Sequence, residues 1–307
     1  MTDPTPAGSL ATPSDPGVSG ELRKDTALGD TDLTRWYTPW GRALAAVARA
    51  IGAKLGPYAA LLLTLGVGAA LAFGLSIAAV EVYDAVTDAD GVAGIDQPLL
   101  NLALSLRTPA AAVIVTVFTD IAGTIGMPVI AVVAMVVLGI KRRSWTPVVL
   151  IIAAGAGSLL MTIAGKELIQ RQRPPLIDAV PPFEYSPSFP SGHTLNAVAV
   201  VGIIAYLLVL RRESTGARVA IISGAVLFAA LVAASRVYLG HHWFTDVLVG
   251  WLLGAAWLSF IITAHRLYLT ARAHHHRLTS NQSLPPQAKV GDRDAQGHPP
   301  ASRPDLR

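Results

Sequence analysis

The chain has 307 residues, 52% of them hydrophobic and 14% charged, with a formal net charge of +4 and a pI near 9.5. Soluble domains carry about 25% charged residues, so this composition excludes an ordinary soluble protein and excludes disorder over most of the length. The chain has no cysteine, which excludes disulfides, thiolate metal sites and a cysteine nucleophile.

In chain order, residues 1–40 are rich in Pro, Gly, Ser, Thr and Asp and contain no apolar stretch. They read as a disordered tail, without the early hydrophobic segment of a signal peptide. Six apolar runs follow: Leu55 to Val80, Ile121 to Ile140, Ser144 to Gly165, Thr194 to Leu210, Val219 to Ser235 and Val247 to Ala264. A membrane-crossing helix needs about 20 apolar residues, with 17 to 25 usual, and none of the runs shows the polar face of a soluble core helix. The expected fold is all-α and polytopic: six transmembrane helices in a domain over 41–278, with a second disordered tail over 279–307. The stretch 109–140 is too long for one straight span. Gly123, Gly126 and Pro128 are the expected break, with Asp120 at a water-facing position beside it.

Basic residues fix the expected orientation. With the N-terminus inside, Arg42, Arg49 and Lys54, then Lys141, Arg142 and Arg143, then Arg211, Arg212 and Arg218, and finally Arg266, Arg272 and Arg277 all fall on the cytoplasmic side. Both termini are then cytoplasmic, in a plasma or inner membrane. The positive charge reads as topology, so no nucleic-acid partner is expected. Lys166, Arg171, Arg173 and Arg236 fall on the outer side against the rule, and orientation does not explain them.

Three short patches at that outer side carry the unusual chemistry. In the first, Lys166 and Arg173 are seven residues apart, a helical spacing that puts both on one face, and Pro174 ends the helix. Two cations on one face make an anion site, with snorkelling to lipid headgroups as the competing explanation. In the second, Pro190, Ser191, Gly192 and His193 lead into an apolar helix. A helix N-terminus favours phosphate, Ser191 adds a hydroxyl, and His193 can exchange a proton near neutral pH. In the third, Ser235 and Arg236 precede His242 and Asp246, which are four apart. A carboxylate on one imidazole nitrogen aims the other outward, which suits a nucleophilic histidine. Arg236 offers a fork for phosphate oxygens.

Taken together, Lys166-x6-Arg173-Pro174, Pro190-Ser191-Gly192-His193 and Ser235-Arg236-x5-His242-x3-Asp246 resemble the three signatures of the type 2 phosphatidic acid phosphatase, or lipid phosphate phosphatase, superfamily, in its bacterial membrane branch. The resemblance covers roughly residues 55 to 265. It implies a hydrolase in which His242 forms a phosphohistidine, Asp246 orients it and His193 protonates the leaving oxygen. Lys166, Arg173, Ser191, Gly192 and Arg236 would hold the phosphoryl oxygens.

Glu167, Arg171 and Tyr185 could shape a headgroup pocket, and His274, His275 and His276 read as a solvated run beyond the last helix. No carboxylate cluster accompanies the site, so neither metal nor other cofactor is expected. The expected partners are the bilayer and a lipid phosphate or diphosphate, of the undecaprenyl diphosphate or phosphatidic acid type. A phosphotransferase on the same scaffold and a non-catalytic phospholipid binder or transporter are the alternatives.

Overall fold

The structure is a computed structural model that describes residue 22 and residues 24–29, 31–70 and 92–282. Strands β1 (Ala27–Leu28) and β2 (Thr31–Asp32) form a small antiparallel ladder. The helices are α1 (Pro39–Leu55), α2 (Pro57–Ala70), α3 (Asp96–Ser105), α4 (Pro109–Asp120), α5 (Gly126–Arg142), α6 (Thr146–Ile169), α7 (Gly192–Val209), α8 (Thr215–Tyr238) and α9 (Phe244–Gln282). Apart from the short ladder, the described architecture is helical, as the long apolar runs predict.

Four helices, α6 to α9, are long and apolar enough to cross a membrane. A fifth candidate is the pair Val92–Ser105 and α4, which is bent by 120°. Helices α2 and α5 are shorter, with α5 at 17 residues. The expected count of six therefore does not reappear as six long helices among the described residues, and 71–80 of the first run lie outside them. The break expected near Gly123 is present: residues 121–125 form turns between α4 and α5, and Asp120 is exposed beside them. Pro128 sits in the first turn of α5, where its missing N–H breaks no helical bond.

The core is apolar and close-packed where α6, α7, α8 and α9 meet. Leu150, Ile151, Leu195, Ile203, Val232 and Ile261 are all buried there. The outward faces of α5, α6 and α8 remain apolar, with Val132, Val136, Leu159, Ile163, Ile222 and Val226 exposed. That surface suits lipid rather than water. Helix α7 contains a π-helical stretch over Ala197–Val201. Such bulges shift the side-chain register and occur often near functional sites.

Helix α9 has 39 residues, about 58 Å at 1.5 Å per residue, so it outruns a hydrocarbon core about 30 Å thick. Helix α1 packs on the excess. It starts at Pro39, with Thr38 capping Gly41 N at 3.1 Å, and buries Gly41, Ala45, Ala48 and Gly52 as one narrow stripe. A Cβ on Gly52 would come within 2.9 Å of Ala271 Cβ. His274, His275 and His276 lie on this extended helix rather than beyond its end.

Residues 24–29 and 31–38, assigned by composition to the first tail, form a strap across the same end of the bundle. Asp25 is buried and pairs with Arg211 Nε at 2.5 Å and Arg142 Nη1 at 3.1 Å. Trp36 donates to Thr270 Oγ1 at 3.1 Å, and Arg266 donates to Leu33 O at 2.9 Å. Two cations read as topology signals thus also hold a buried carboxylate. Of the two expected tails, residues 1–21, 23, 30 and 283–307 lie outside the described residues, and 279–282 continue α9.

Candidate active site

Arg142, Arg211 and Thr270 meet the strap, whereas Arg171, Ser188, Ser191 and Asp246 meet one another at the other end of α6, α7 and α9. The segments 170–191 and 239–243 therefore converge at one end with the α4–α5 turn, and all three sequence patches meet there.

Two details of local structure differ from the spacing arguments. Helix α6 stops at Ile169, with Gln170 in a left-handed conformation (φ 49°), so Arg173 is not helical and Pro174 does not end the helix. Ion pairs hold the chain beyond it: Arg171 and Arg173 turn inward to carboxylates. Likewise His242 precedes α9, which begins at Phe244. His242 and Asp246 are neighbours because Asp246 stands in the first turn and accepts from Trp243 N at 3.0 Å, folding 242–246 into a cap. Gly240 makes the bend before it at φ 72°, and a Cβ there would meet Asp178 O at 2.3 Å.

His242 is 1% exposed. Its Nδ1 faces Asp246 Oδ2 at 3.4 Å and Ser188 Oγ at 3.5 Å, and its Nε2 lies 3.2 Å from Arg173 Nη1. The Nδ1 spacing is longer than a formed hydrogen bond, as is common before substrate tightens a site. Burial, then Arg173 and Arg236, push the His242 imidazole well below its ordinary range, so it stays an uncharged base at neutral pH.

Asp246 is fully buried and both its oxygens accept hydrogen bonds. Oδ1 accepts from Arg171 Nη1 at 2.5 Å, and Oδ2 accepts from Ser188 Oγ and Trp243 N. Arg171 also bonds Asp96 Oδ2 at 2.6 Å, and Asp96 accepts from Thr245 N at 2.8 Å and Thr245 Oγ1 at 2.7 Å. This Asp96–Arg171–Asp246 relay fixes the carboxylate that faces His242. Spacing does not reveal it: the only cue in the sequence is that Arg171 breaks the charge rule. Arg171 does not line a headgroup pocket, since it turns inward. Glu167 and Tyr185 are exposed, Tyr185 by 82%, and neither enters the site.

The cations expected to hold phosphate are gathered at one place and already have partners. Lys166 Nζ donates to Ser186 Oγ at 3.1 Å and to Pro187 O. Arg173 donates to Ser186 O at 2.7 Å, to His241 O, and to Glu184 Oε2 at 2.8 Å. Arg236, 1% exposed, pairs with Glu184 Oε1, while its Nε has no hydrogen-bond partner. Burial works to raise the Glu184 carboxyl, but Arg236 and then Arg173 outweigh it and hold it down at about 2.

Ser191 is fully buried and occupies the N-cap position of α7 without a side-chain cap bond; its N donates to Asp246 O at 3.1 Å and its Oγ accepts from Thr194 Oγ1 at 3.1 Å. Gly192 opens α7 beside Thr162, where a Cβ would meet Thr162 Cγ2 at 3.0 Å. His193 stands on the first turn, across from the α4–α5 turn. Its Nε2 would lie 3.4 Å from a Cβ on Gly123, so the absent side chain leaves room for the imidazole.

The PAP2 superfamily model matches residues 144–268, which include all three patches. The chain is 35% identical over 169 residues to phosphatidylglycerophosphatase B of Bacillus subtilis (strain 168), covering 54% of this chain and 80% of that protein. It is 31% identical over 136 residues to decaprenylphosphoryl-5-phosphoribose phosphatase of Mycobacterium tuberculosis, covering 43% and 67%. It is 42% identical over 80 residues to an undecaprenyl-diphosphatase of Sulfolobus acidocaldarius, but this spans only 26% of the chain and 33% of that protein. Among solved structures it is similar to the transmembrane PAP2 type phosphatidylglycerolphosphate phosphatase from Bacillus subtilis, with TM-score 0.54, 29% identity and coverage of 64% and 92%. A helical membrane fold with this site and these relatives places the chain in the PAP2 superfamily, as a phosphatase.

Proposed function

We propose that this phosphatase removes the terminal phosphoryl group of a lipid phosphate or diphosphate through a phosphohistidine on His242. The observation that carries this reading is the split environment of one imidazole: Nδ1 faces Asp246 while Nε2 faces Arg173 at 3.2 Å. With its proton on Nδ1 toward Asp246, the imidazole turns its Nε2 lone pair to Arg173, which gives it up on binding the phosphoryl oxygens.

The reaction has two displacements. Lys166, Arg173 and Arg236, with Ser191, Gly192 and the N–H groups opening α7, hold the non-bridging oxygens. His242 Nε2 attacks phosphorus, the bond to the leaving oxygen breaks, and His193 gives that oxygen its proton. Water then attacks the phosphohistidine, His193 takes a proton from it, the P–N bond breaks and inorganic phosphate leaves. Fixed cations supply the charge stabilisation.

A lipid substrate fits the surroundings. An apolar cavity of about 800 Å³, lined by Leu102, Phe118, Leu231, Tyr238, Phe244 and Trp251, runs beside the helix ends that carry Arg236 and Asp246. It offers an acyl or prenyl chain a place between helices. The asymmetry of Lys and Arg supports a site on the outer face of the cell membrane with both termini cytoplasmic. An outward site meets polyprenyl diphosphate, which we take as the main substrate, with phosphatidic acid as a second. The test is a comparison of kcat/KM for phosphate release from undecaprenyl diphosphate, phosphatidic acid and phosphatidylglycerol phosphate by the purified protein in detergent. A preference above tenfold for a glycerophospholipid, about 1.4 kcal/mol in the transition state, refutes the polyprenyl assignment. Transfer to an added alcohol at the expense of phosphate release would instead identify a phosphotransferase.

A further inference from the structure

Glu184 occupies the centre of the cation cluster. Its two carboxylate oxygens are divided between Arg173 and Arg236, and Oε1 lies 3.8 Å from His241 Nδ1. It belongs to none of the three patches, and it comes from the proline-rich segment between the first and second. That segment is pinned on both sides of it. Val180 N donates to Leu239 O at 2.9 Å and Val180 O accepts from His241 Nε2 at 2.7 Å, while Ser188 N donates to Arg171 O at 2.8 Å. Between these anchors Glu184 reaches inward, with Tyr185 beside it turned outward.

The fit of the carboxylate is incomplete. Arg236 Nε and His241 Nδ1 are buried without a hydrogen-bond partner, both within the cluster that Glu184 bridges. Leaving such atoms unpaired is costly. A carboxylate has two oxygens to offer, and a phosphoryl group has three that are not bridging. The cluster therefore holds more donor capacity than Glu184 uses, and the same cations cannot hold both anions at once.

We propose that Glu184 is an internal competitor for the phosphoryl site, whose displacement every phosphoryl ligand must bring about. This rests on the reading of Lys166, Arg173 and Arg236 as the phosphoryl-binding cations. The cost of displacement is the same for every ligand. A lipid phosphate offsets it with the burial of its chain, whereas inorganic phosphate and small soluble phosphate esters have no such contribution. The carboxylate thus keeps the released phosphate, and bystander phosphates in water, from occupying the site. It also keeps two arginines paired between turnovers, which avoids leaving their charges buried alone.

The test is direct binding of inorganic phosphate and of orthovanadate to the purified full-length protein in detergent, by calorimetry, for wild type, Glu184→Gln, Glu184→Ala and the exposed-loop control Tyr185→Ala. Glu184→Ala should bind both anions at least tenfold more tightly than wild type. Glu184→Gln should fall between them, because its amide oxygen still accepts from one arginine, and Tyr185→Ala should match wild type. With a water-soluble aryl phosphate, KM should fall in the same order while kcat does not rise. A residue that merely braces the loop would give the opposite sign, since its loss would loosen the cations and weaken binding. Unchanged or weaker anion binding in both Glu184 variants, in a protein that still releases phosphate from lipid, overturns the competitor role and leaves the phosphatase reading intact. No anion binding and no phosphate release in any of the four proteins overturns the reading of the cation cluster itself, and the competitor role with it.

Discussion

Arg171 reaches the carboxylate of Asp246, 75 residues further along the chain, with Nη1 2.5 Å from Oδ1. The same guanidinium bonds Asp96 at 2.6 Å. One cation thus holds two buried carboxylates, and one of them faces His242. Removing it would leave both charges uncompensated. Breaking a buried pair in this way costs about 3–5 kcal/mol.

Arg171→Ala should therefore lower thermal stability and reduce kcat toward the level of an Asp246 variant. Arg171→Lys should recover part of both, because it restores the charge without the two-pronged geometry. Melting curves and phosphate release on the same preparations check this. Wild-type turnover in Arg171→Ala would show that Asp246 needs no such support.

How much of this was legible in the sequence differs between the parts of the site. Four of the six expected spans, the break near Gly123 and the three patches follow from apolar runs and residue types, which are local properties. His242 and Asp246 were paired by helical spacing and are indeed neighbours, although the reason is a cap rather than a helix face. Lys166 and Arg173 also meet in one cluster, but a helix does not join them, since α6 ends at Ile169. The Asp96–Arg171–Asp246 relay and the place of Glu184 could not be read. They join residues 75 or 149 positions apart, or place a loop residue by tertiary contact, and no local period records such contacts. The buried role of Asp25 was hidden for the same reason: its partners lie 117 and 186 residues away.

His193 stands at the start of α7, and in the proposed mechanism it protonates the leaving oxygen. The loss in kcat for His193→Ala should be smaller with an activated aryl phosphate than with a lipid phosphate, because a good leaving group needs little protonation. Parallel rates on the two substrates measure this. Equal losses would mean that His193 serves only to position phosphate.

Charge stabilisation by Lys166, Arg173 and Arg236 makes a metal unnecessary in this account. EDTA should leave phosphate release unchanged, and orthovanadate, which adopts five-coordinate geometry like the transferring phosphorus, should inhibit. A strict requirement for Mg²⁺ in the same assay would contradict the role given to these cations.

The orientation can be read with thiol labelling, because the chain has no cysteine of its own. Ile177, 91% exposed, lies in the segment at the site end, and Glu213 is exposed in the loop at the opposite end. A membrane-impermeant maleimide should label Ile177→Cys in intact cells and Glu213→Cys only after permeabilisation. The reverse pattern would assign the site to the inner leaflet.

The central claim is that His242 carries the phosphoryl group. Rapid acid-free quenching of the purified protein with a lipid substrate labelled in its terminal phosphate tests it most directly. Wild type should retain protein-bound label that is lost in acid and survives in base, as a phosphohistidine does. Asp246→Asn should form the label more slowly, by a factor on the order of 10⁴ if it acts as a triad aspartate does. His242→Ala should take up no label and release no phosphate. Acid-labile label or undiminished turnover in His242→Ala would contradict the account.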